Sequence, residues 1–196
     1  MTAVTRYSTM PTEGVDINNI YTVSASLTPE TPAPPFLVGT EVVGLSGAQY
    51  VFVQASTSIS ANDFVAITGT HTANSLTSVN IVSSLGGRIG VAPGSPVVTS
   101  TGIAAGTYFW AQINGTGVSA NAIAASTASA TQLYTSLTAG ILASVTSTSS
   151  QIVAGVVMTA SATANPQTFA MSWPRISVYS TAGGVMTGAA AAPVSP

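Results

Sequence analysis

The stretch YFWAQING at residues 108–115 joins a run of aromatic and apolar side chains to an Asn-Gly pair. Aromatic and β-branched residues favour strands, and Asn-Gly directly after a strand is typical of a tight hairpin turn. YVFVQ at residues 50–54 predicts a second strand of the same kind. In FAMSW, residues 169–173, large and small side chains alternate, which is the period of a strand with one apolar face.

The same composition extends from residue 36 to about residue 180, where Val, Ile and Thr are abundant and Glu, Lys and Gln are scarce. Four similar strings combine an aliphatic residue, a small pair and Asn or Gly: ISANDF (59–64), VSANAI (118–123), IAAGTY (103–108) and LTAGIL (137–142). Asn and Gly tolerate the left-handed backbone of a sharp turn, so each string predicts a turn that leads into a new strand. We therefore predict an all-β domain at residues 36–180, either an antiparallel β-sandwich or a barrel-like fold.

Residues 1–35 differ in composition and are predicted to form an extended N-terminal arm. They hold half of the chain's Arg, Asp and Glu residues and end in PETPAPP at 29–35, a run that excludes helix and favours polyproline geometry. Two interpretations stay open: a disordered tail, or an ordered arm that lies across a neighbouring subunit. The second predicts a set of partner-contact residues: Arg6, Tyr7, Ile17, Ile20, Tyr21, Pro32, Pro34 and Pro35. Residues 181–196, rich in Gly, Ala and Pro, are predicted to be a flexible or extended tail.

The scarcity of charge is the strongest clue to function. Only 4% of the chain is charged and Lys is absent, whereas an ordinary soluble domain is about 25% charged. Since 46% of the residues are hydrophobic and the net charge is only -2, the chain is expected to fold. Its surface must then be neutral and polar, or covered by other subunits. The composition therefore favours a subunit of a large assembly.

The sequence contains few residues that could act in catalysis or bind a metal. Cys is absent, His71 is the single histidine, and no Asp or Glu follows Asp63. A Ser-His-Asp triad would need these two residues, but no Gly-x-Ser-x-Gly string supports it. GTGVSA at 115–120 matches a dinucleotide-binding pattern without the helix or the later acid that the pattern requires. We predict that the chain is not an enzyme and binds no metal or cofactor.

Other partner classes are also disfavoured. Three cations in the whole chain give no basic surface for nucleic acid. No apolar run approaches the roughly 18 residues of a membrane-spanning helix, so no membrane contact is predicted. The first seven residues contain no apolar run of the kind found in secretory signals.

Two segments carry a family resemblance. GRIGVA at 87–92, followed by IAAGTYFWAQING at 103–115, resembles the small β-rich head decoration proteins, or capsid cement proteins, of tailed bacteriophages. The resemblance covers roughly residues 45–115. It implies a homo-oligomer, often a trimer, that binds major capsid subunits on the outside of the expanded head and has no catalytic residues.

The sequence thus predicts a virion structural protein that decorates and stabilises a phage capsid. Its expected partner is the major capsid protein and its expected location is the outer surface of the virion, after synthesis in the host cytoplasm. Two alternatives stay open. One is a tail, fibre or other virion component. The other is a carbohydrate-binding or receptor-binding β module, whose aromatic platform would come from Tyr108, Trp110 and Trp173.

Overall fold

The computed structural model is all-β, which confirms the predicted fold class. It describes residues 15–22, 34–44, 47–78, 87–94, 97–98, 101–122, 132–144, 150–159 and 165–179. These residues contain no α-helix and form one mixed sheet of ten strands. The strands are β1 Glu41–Val43, β2 Gln49–Ala55, β3 Phe64–Ile67, β4 Thr72–Ser75, β5 Arg88–Val91, β6 Tyr108–Ala120, β7 Leu133–Thr135, β8 Leu142–Ala143, β9 Gln151–Met158 and β10 Gln167–Tyr179.

Five of the strands close into a small barrel. Hydrogen bonding runs β2-β4-β3-β5-β6, and β6 pairs again with β2. The β2–β4 pair is parallel and the other four pairs are antiparallel, so the predicted antiparallel arrangement holds for all of the ring except that pair. Alternate side chains fill the interior: Val51, Val53, Ala55, Val65, Ile67, Ala73, Phe109, Ala111 and Ile113.

The remaining strands form a second layer against the barrel. β6 is long enough to take part in both layers, since residues 108–114 pair with β2 and residues 114–120 pair with β10. The sheet then continues through β9, β7 and β8. Phe64 of β3 and Phe169 of β10 meet edge to face, with ring centroids 5.4 Å apart, in a core shared by the two layers. The fold therefore combines a barrel with a sandwich-like contact.

A third core lies on the outer face of β2 and β6 and includes residues from the N-terminal arm. Ile17 is only 2% exposed and packs with Tyr50, Phe52 and Trp110. Tyr21 exchanges two backbone hydrogen bonds of 2.8 Å with Tyr108 at the start of β6. In its described residues the arm packs on its own domain, and its predicted contact with a neighbouring subunit stays a prediction. Apolar residues spaced through a polar segment do not show which surface they cover.

The predicted hairpin turn at Asn114-Gly115 is wrong, because β6 runs straight through it. At this point β6 pairs with β2 on one edge and with β10 on the other, so the ladder of backbone hydrogen bonds continues. Gly115 (φ 127) and Gly117 (φ 71) adopt left-handed backbone. Between the Phe169–Val118 and Met171–Gly115 pairs, one residue of β10 faces two residues of β6. The glycines therefore form a bulge, which bends a strand rather than ending it.

Three of the four repeated strings lead into strands as predicted. ISANDF precedes β3, IAAGTY precedes β6 and LTAGIL precedes β8, and each turn contains a residue with positive φ: Asn62 (62), Gly106 (84) and Gly140 (72). VSANAI begins within β6, and the residues that follow Ala122 lie outside the described residues, so the strand predicted after this string stays a prediction. Residues 181–196, the predicted tail, lie outside the described residues.

Candidate interaction surfaces

The predicted partner-contact residues occupy several environments. Ile17 belongs to the core of its own chain, and Ile20 and Tyr21 are half-buried beside it. Pro34 is half-buried and Pro35 is exposed. Ile17 therefore contributes to the chain's own packing, and of these five residues only Pro35 presents an open surface. The partner contact predicted for the set stays a prediction. Arg6, Tyr7 and Pro32 lie outside the described residues.

Asp63 is a buried carboxylate that joins four segments. Its Oδ2 accepts hydrogen bonds from the Ser60 backbone N–H and the Ser75 hydroxyl, both at 3.0 Å, and its Oδ1 accepts one from Asn121 Nδ2 at 3.1 Å. Gly140 packs so closely that a Cβ at this position would overlap the carboxylate. The Asp63 side chain thus ties β4, the end of β6 and the turn before β8 to the turn before β3. Its role in this arrangement is structural.

Burial raises the pKa of the Asp63 carboxyl above its ordinary value of 3.8, although the hydrogen bonds from Ser60, Ser75 and Asn121 oppose this shift. The folded chain then binds this proton more tightly than the unfolded chain does. The Asp63 contribution to the free energy of unfolding therefore falls as pH rises from 3.8 through the folded-state pKa.

We expect Asp63→Asn to lack this loss, because the amide does not titrate. The stability of the wild type relative to Asp63→Asn, measured by urea denaturation, should decrease as pH rises from 3.8 through the raised folded-state pKa of Asp63. Ser75→Ala removes one hydrogen bond that holds the pKa down, so it should widen the pH range of the loss. Parallel pH profiles for the wild type and Asp63→Asn would contradict the predicted effect.

His71 is not part of this cluster. The β3–β4 hairpin carries its ring against Gly39, where a Cβ would lie 2.6 Å from His71 Cε1. The Ser-His-Asp arrangement considered from the sequence is therefore not assembled. Within the described ranges no three His, Cys, Asp or Glu residues come together in a way that would hold a metal ion. In the same ranges no helix is long and apolar enough to cross a membrane.

The outward side of the second layer presents a patch of uncharged residues, which we call the neutral sheet face. Thr168 pairs with Ser119, and Ala170 pairs with Val157. Val157 is 46% exposed although it is aliphatic and pairs with β10. The face consists of five exposed or half-buried residues: Ser119, Val157, Thr168, Ala170 and Ser172. This pleated surface carries no charged side chain, so a partner that docks on it would not have to remove a charge from water.

The neutral sheet face ends at a group of charged and aromatic residues, which we call the Arg–Trp corner. Arg88 on β5 donates a 2.6 Å hydrogen bond from Nη1 to Glu41 Oε1 on β1. The Arg88 guanidinium also lies 5.3 Å from the ring centroid of Trp173. Arg175, on β10, stands directly opposite Arg88 in the β5–β10 pairing. Three of the chain's eight charged residues thus lie at this corner, and one of them, Arg88, lies over the ring of an exposed tryptophan.

A strained backbone holds Trp173 at this corner. Its φ is 46, and positive φ in a bulky residue other than glycine is an outlier that costs about 1–3 kcal/mol. The strain arises at a bulge, because β10 advances four residues from Met171 to Arg175 while β9 advances two. Gly155 makes the bulge possible: a Cβ there would overlap the Ser172 carbonyl oxygen.

The structure separates the three aromatic residues that the sequence grouped as a sugar platform. Trp110 is 1% exposed and belongs to the core under the arm. Tyr108 stacks on Phe52 with ring centroids 5.7 Å apart. Only Trp173 is exposed, at 40%. The grouping is therefore wrong. No local pattern reveals that Arg88 and Arg175 are neighbours, because the two strands that carry them lie far apart in the chain.

The chain matches no protein-family model, and comparisons with the curated proteins and with the solved structures find no match either.

Proposed function

We propose that this chain is a structural subunit of a phage virion that binds major capsid subunits on the outside of the head and stabilises them. The observation that carries the proposal is the neutral sheet face. A subunit that docks through Val157, Ala170 and their neutral neighbours transfers no charge out of water, and burial of an unpaired charge would oppose docking.

Two further features suit a subunit of a shell. Leu37 is 84% exposed and precedes β1, which is one end of the sheet order. A strand at the end of a sheet has backbone groups that are available to a strand from another chain. Contacts of low charge depend little on salt, and many copies on one shell reinforce each other even where each contact is modest.

Because the arm packs into a core of its own domain, docking cannot be tested by removing the arm. Removal of residues 1–35 would strip Ile17 and Tyr21 from the core that contains Phe52 and Trp110, so lost binding after that truncation would report misfolding. A substitution on the neutral sheet face tests docking without uncovering a core.

We expect Val157→Glu to lower occupancy on purified phage heads by at least about tenfold, because a desolvated, unpaired carboxylate costs more than the roughly 1.4 kcal/mol that corresponds to tenfold. Occupancy is measured by cosedimentation of the purified subunit with heads that lack it. Thermal unfolding should show that the variant remains folded, since its side chain is exposed.

Thr57→Glu is the matched control, because Thr57 is exposed in the turn after β2 and lies outside the neutral sheet face. It should bind heads as the wild type does. If Val157→Glu binds as well as Thr57→Glu, the neutral sheet face is not the docking surface. A wild-type subunit that does not bind heads would contradict the proposed function itself.

One observation favours a carbohydrate-binding module as the second candidate. Trp173 is exposed beside the Arg88 guanidinium, and small-ligand sites combine aromatic side chains with a few polar groups. Selective binding on a glycan array that is lost in Trp173→Ala would support this function. For a tail, fibre or other virion component, the number of copies in a particle would distinguish it from a head decoration protein.

A further inference from the structure

The Arg–Trp corner has an excess of positive charge. Arg88 and Arg175 face each other across the β5–β10 pair, and like charges in that position destabilise a sheet. Glu41 neutralises Arg88. Arg175 is exposed and makes no ion pair with any residue that the structure describes. Two of the chain's three cations therefore share one negative partner, and a second carboxylate would relieve the repulsion.

The corner also offers an apolar surface beside the free guanidinium. Trp173 exposes part of its indole on the same bulge that leads into Arg175. Exposed aromatic rings bind proline-rich segments, which are extended before binding and lose little entropy. A guanidinium binds a carboxylate through two parallel hydrogen bonds. The two groups together fit an extended segment that contains proline and one acidic residue.

The chain itself contains such a segment. Asp16 accepts a hydrogen bond from the backbone N–H of Asn18 in its own turn, Asp63 is buried, and Glu41 is bound to Arg88. Of the five acidic residues, Glu13 and Glu30 remain, and only Glu30 lies within a proline-rich run, PETPA at residues 29–33.

We infer that the Arg–Trp corner is a docking site for residues 29–33 of a second copy of this chain, with Glu30 bound to Arg175 and proline packed on Trp173. This inference deepens the proposed function, since it names a contact between copies of the subunit. It uses different residues from the neutral sheet face, so the two can fail separately.

A charge exchange tests the contact. Glu30→Arg and Arg175→Glu should each weaken self-association by at least about tenfold, because each replaces the charge-assisted hydrogen bonds between Glu30 and Arg175 with a pair of like charges. The double variant should recover most of the loss, because the pair is restored with its signs reversed. Dissociation constants come from sedimentation velocity over a range of concentrations. Arg175→Gln, which adds no negative charge, should show an intermediate loss and replaces Arg175→Glu if that variant does not fold.

Glu13→Arg is the control, because it makes the same change of charge elsewhere in the arm and should leave self-association unchanged. Equal losses in Glu13→Arg and Glu30→Arg, or no recovery in the double variant, would overturn the inference. The inference would also be overturned if the double variant recovered folding stability but not self-association. That result would place Glu30 on Arg175 of its own chain. A wild type that remains monomeric yet binds heads would overturn the inference and leave the proposed function standing.

Discussion

Trp110→Ala is expected to lower the free energy of unfolding by about 3–5 kcal/mol, the usual cost of truncating a fully buried tryptophan. The indole lies 5.1 Å from the Phe36 ring and 5.0 Å from the Phe52 ring, measured between centroids. Its removal leaves a cavity between the barrel and the arm segments that cover it. Because small domains are stable by only about 5–15 kcal/mol in total, urea denaturation followed by circular dichroism should show a large fall in the midpoint.

Two other substitutions isolate the cause of this loss. Trp173→Ala removes an exposed ring whose contact with Arg88 is worth about 0.5–1 kcal/mol, so its midpoint should stay near that of the wild type. Trp110→Phe keeps an aromatic ring and removes the indole N–H, which is buried without a hydrogen-bond partner. This variant should lose much less free energy of unfolding than Trp110→Ala does. Equal midpoints for Trp110→Ala and Trp173→Ala would contradict the packing described for the arm.

Gly155→Ala is expected to destabilise the chain by about 2–5 kcal/mol, the sum of about 1–2 kcal/mol for left-handed backbone and about 1–3 kcal/mol for overpacking. Gly155 has φ 77, and an added Cβ would overlap the Ser172 carbonyl oxygen and lie 3.2 Å from Pro174 Cα. These are backbone atoms of the neighbouring strand, so they move only if the β9–β10 pairing moves. The measurement is again the urea midpoint.

Gly117→Ala is a closely matched control. Gly117 also lies in a strand and has φ 71, but no atom lies within 4 Å of a Cβ added there. Gly117→Ala should therefore lower the free energy of unfolding only by the cost of left-handed backbone in a residue other than glycine, about 1–2 kcal/mol. If the two alanine variants are equally stable, the close approach of β10 to Gly155 does not constrain the sheet.

The Arg–Trp corner shows why the candidate site escaped the sequence analysis. Trp173 stood out in the alternating run at 169–173 and was assigned to one apolar face with Phe169 and Met171. In the structure the bulge between Met171 and Arg175 interrupts that alternation, so Phe169 and Met171 are buried while Trp173 is exposed. After the bulge the buried positions are Pro174 and Ile176, and a glycine on a different strand, Gly155, permits the bulge.

By itself, the sequence determined the all-β class, the strands at 50–54 and 108–113, and three turns that enter strands, because these depend on local backbone preference and on the period of apolar side chains. Only the tertiary structure decided that the barrel closes through β2 and β6, that Ile17 covers its own barrel, and that Arg88 faces Arg175. The physical reason is that each of these contacts joins residues far apart in the chain. Which distant strands pair, and in which register, depends on how whole faces pack together rather than on any short run of residues.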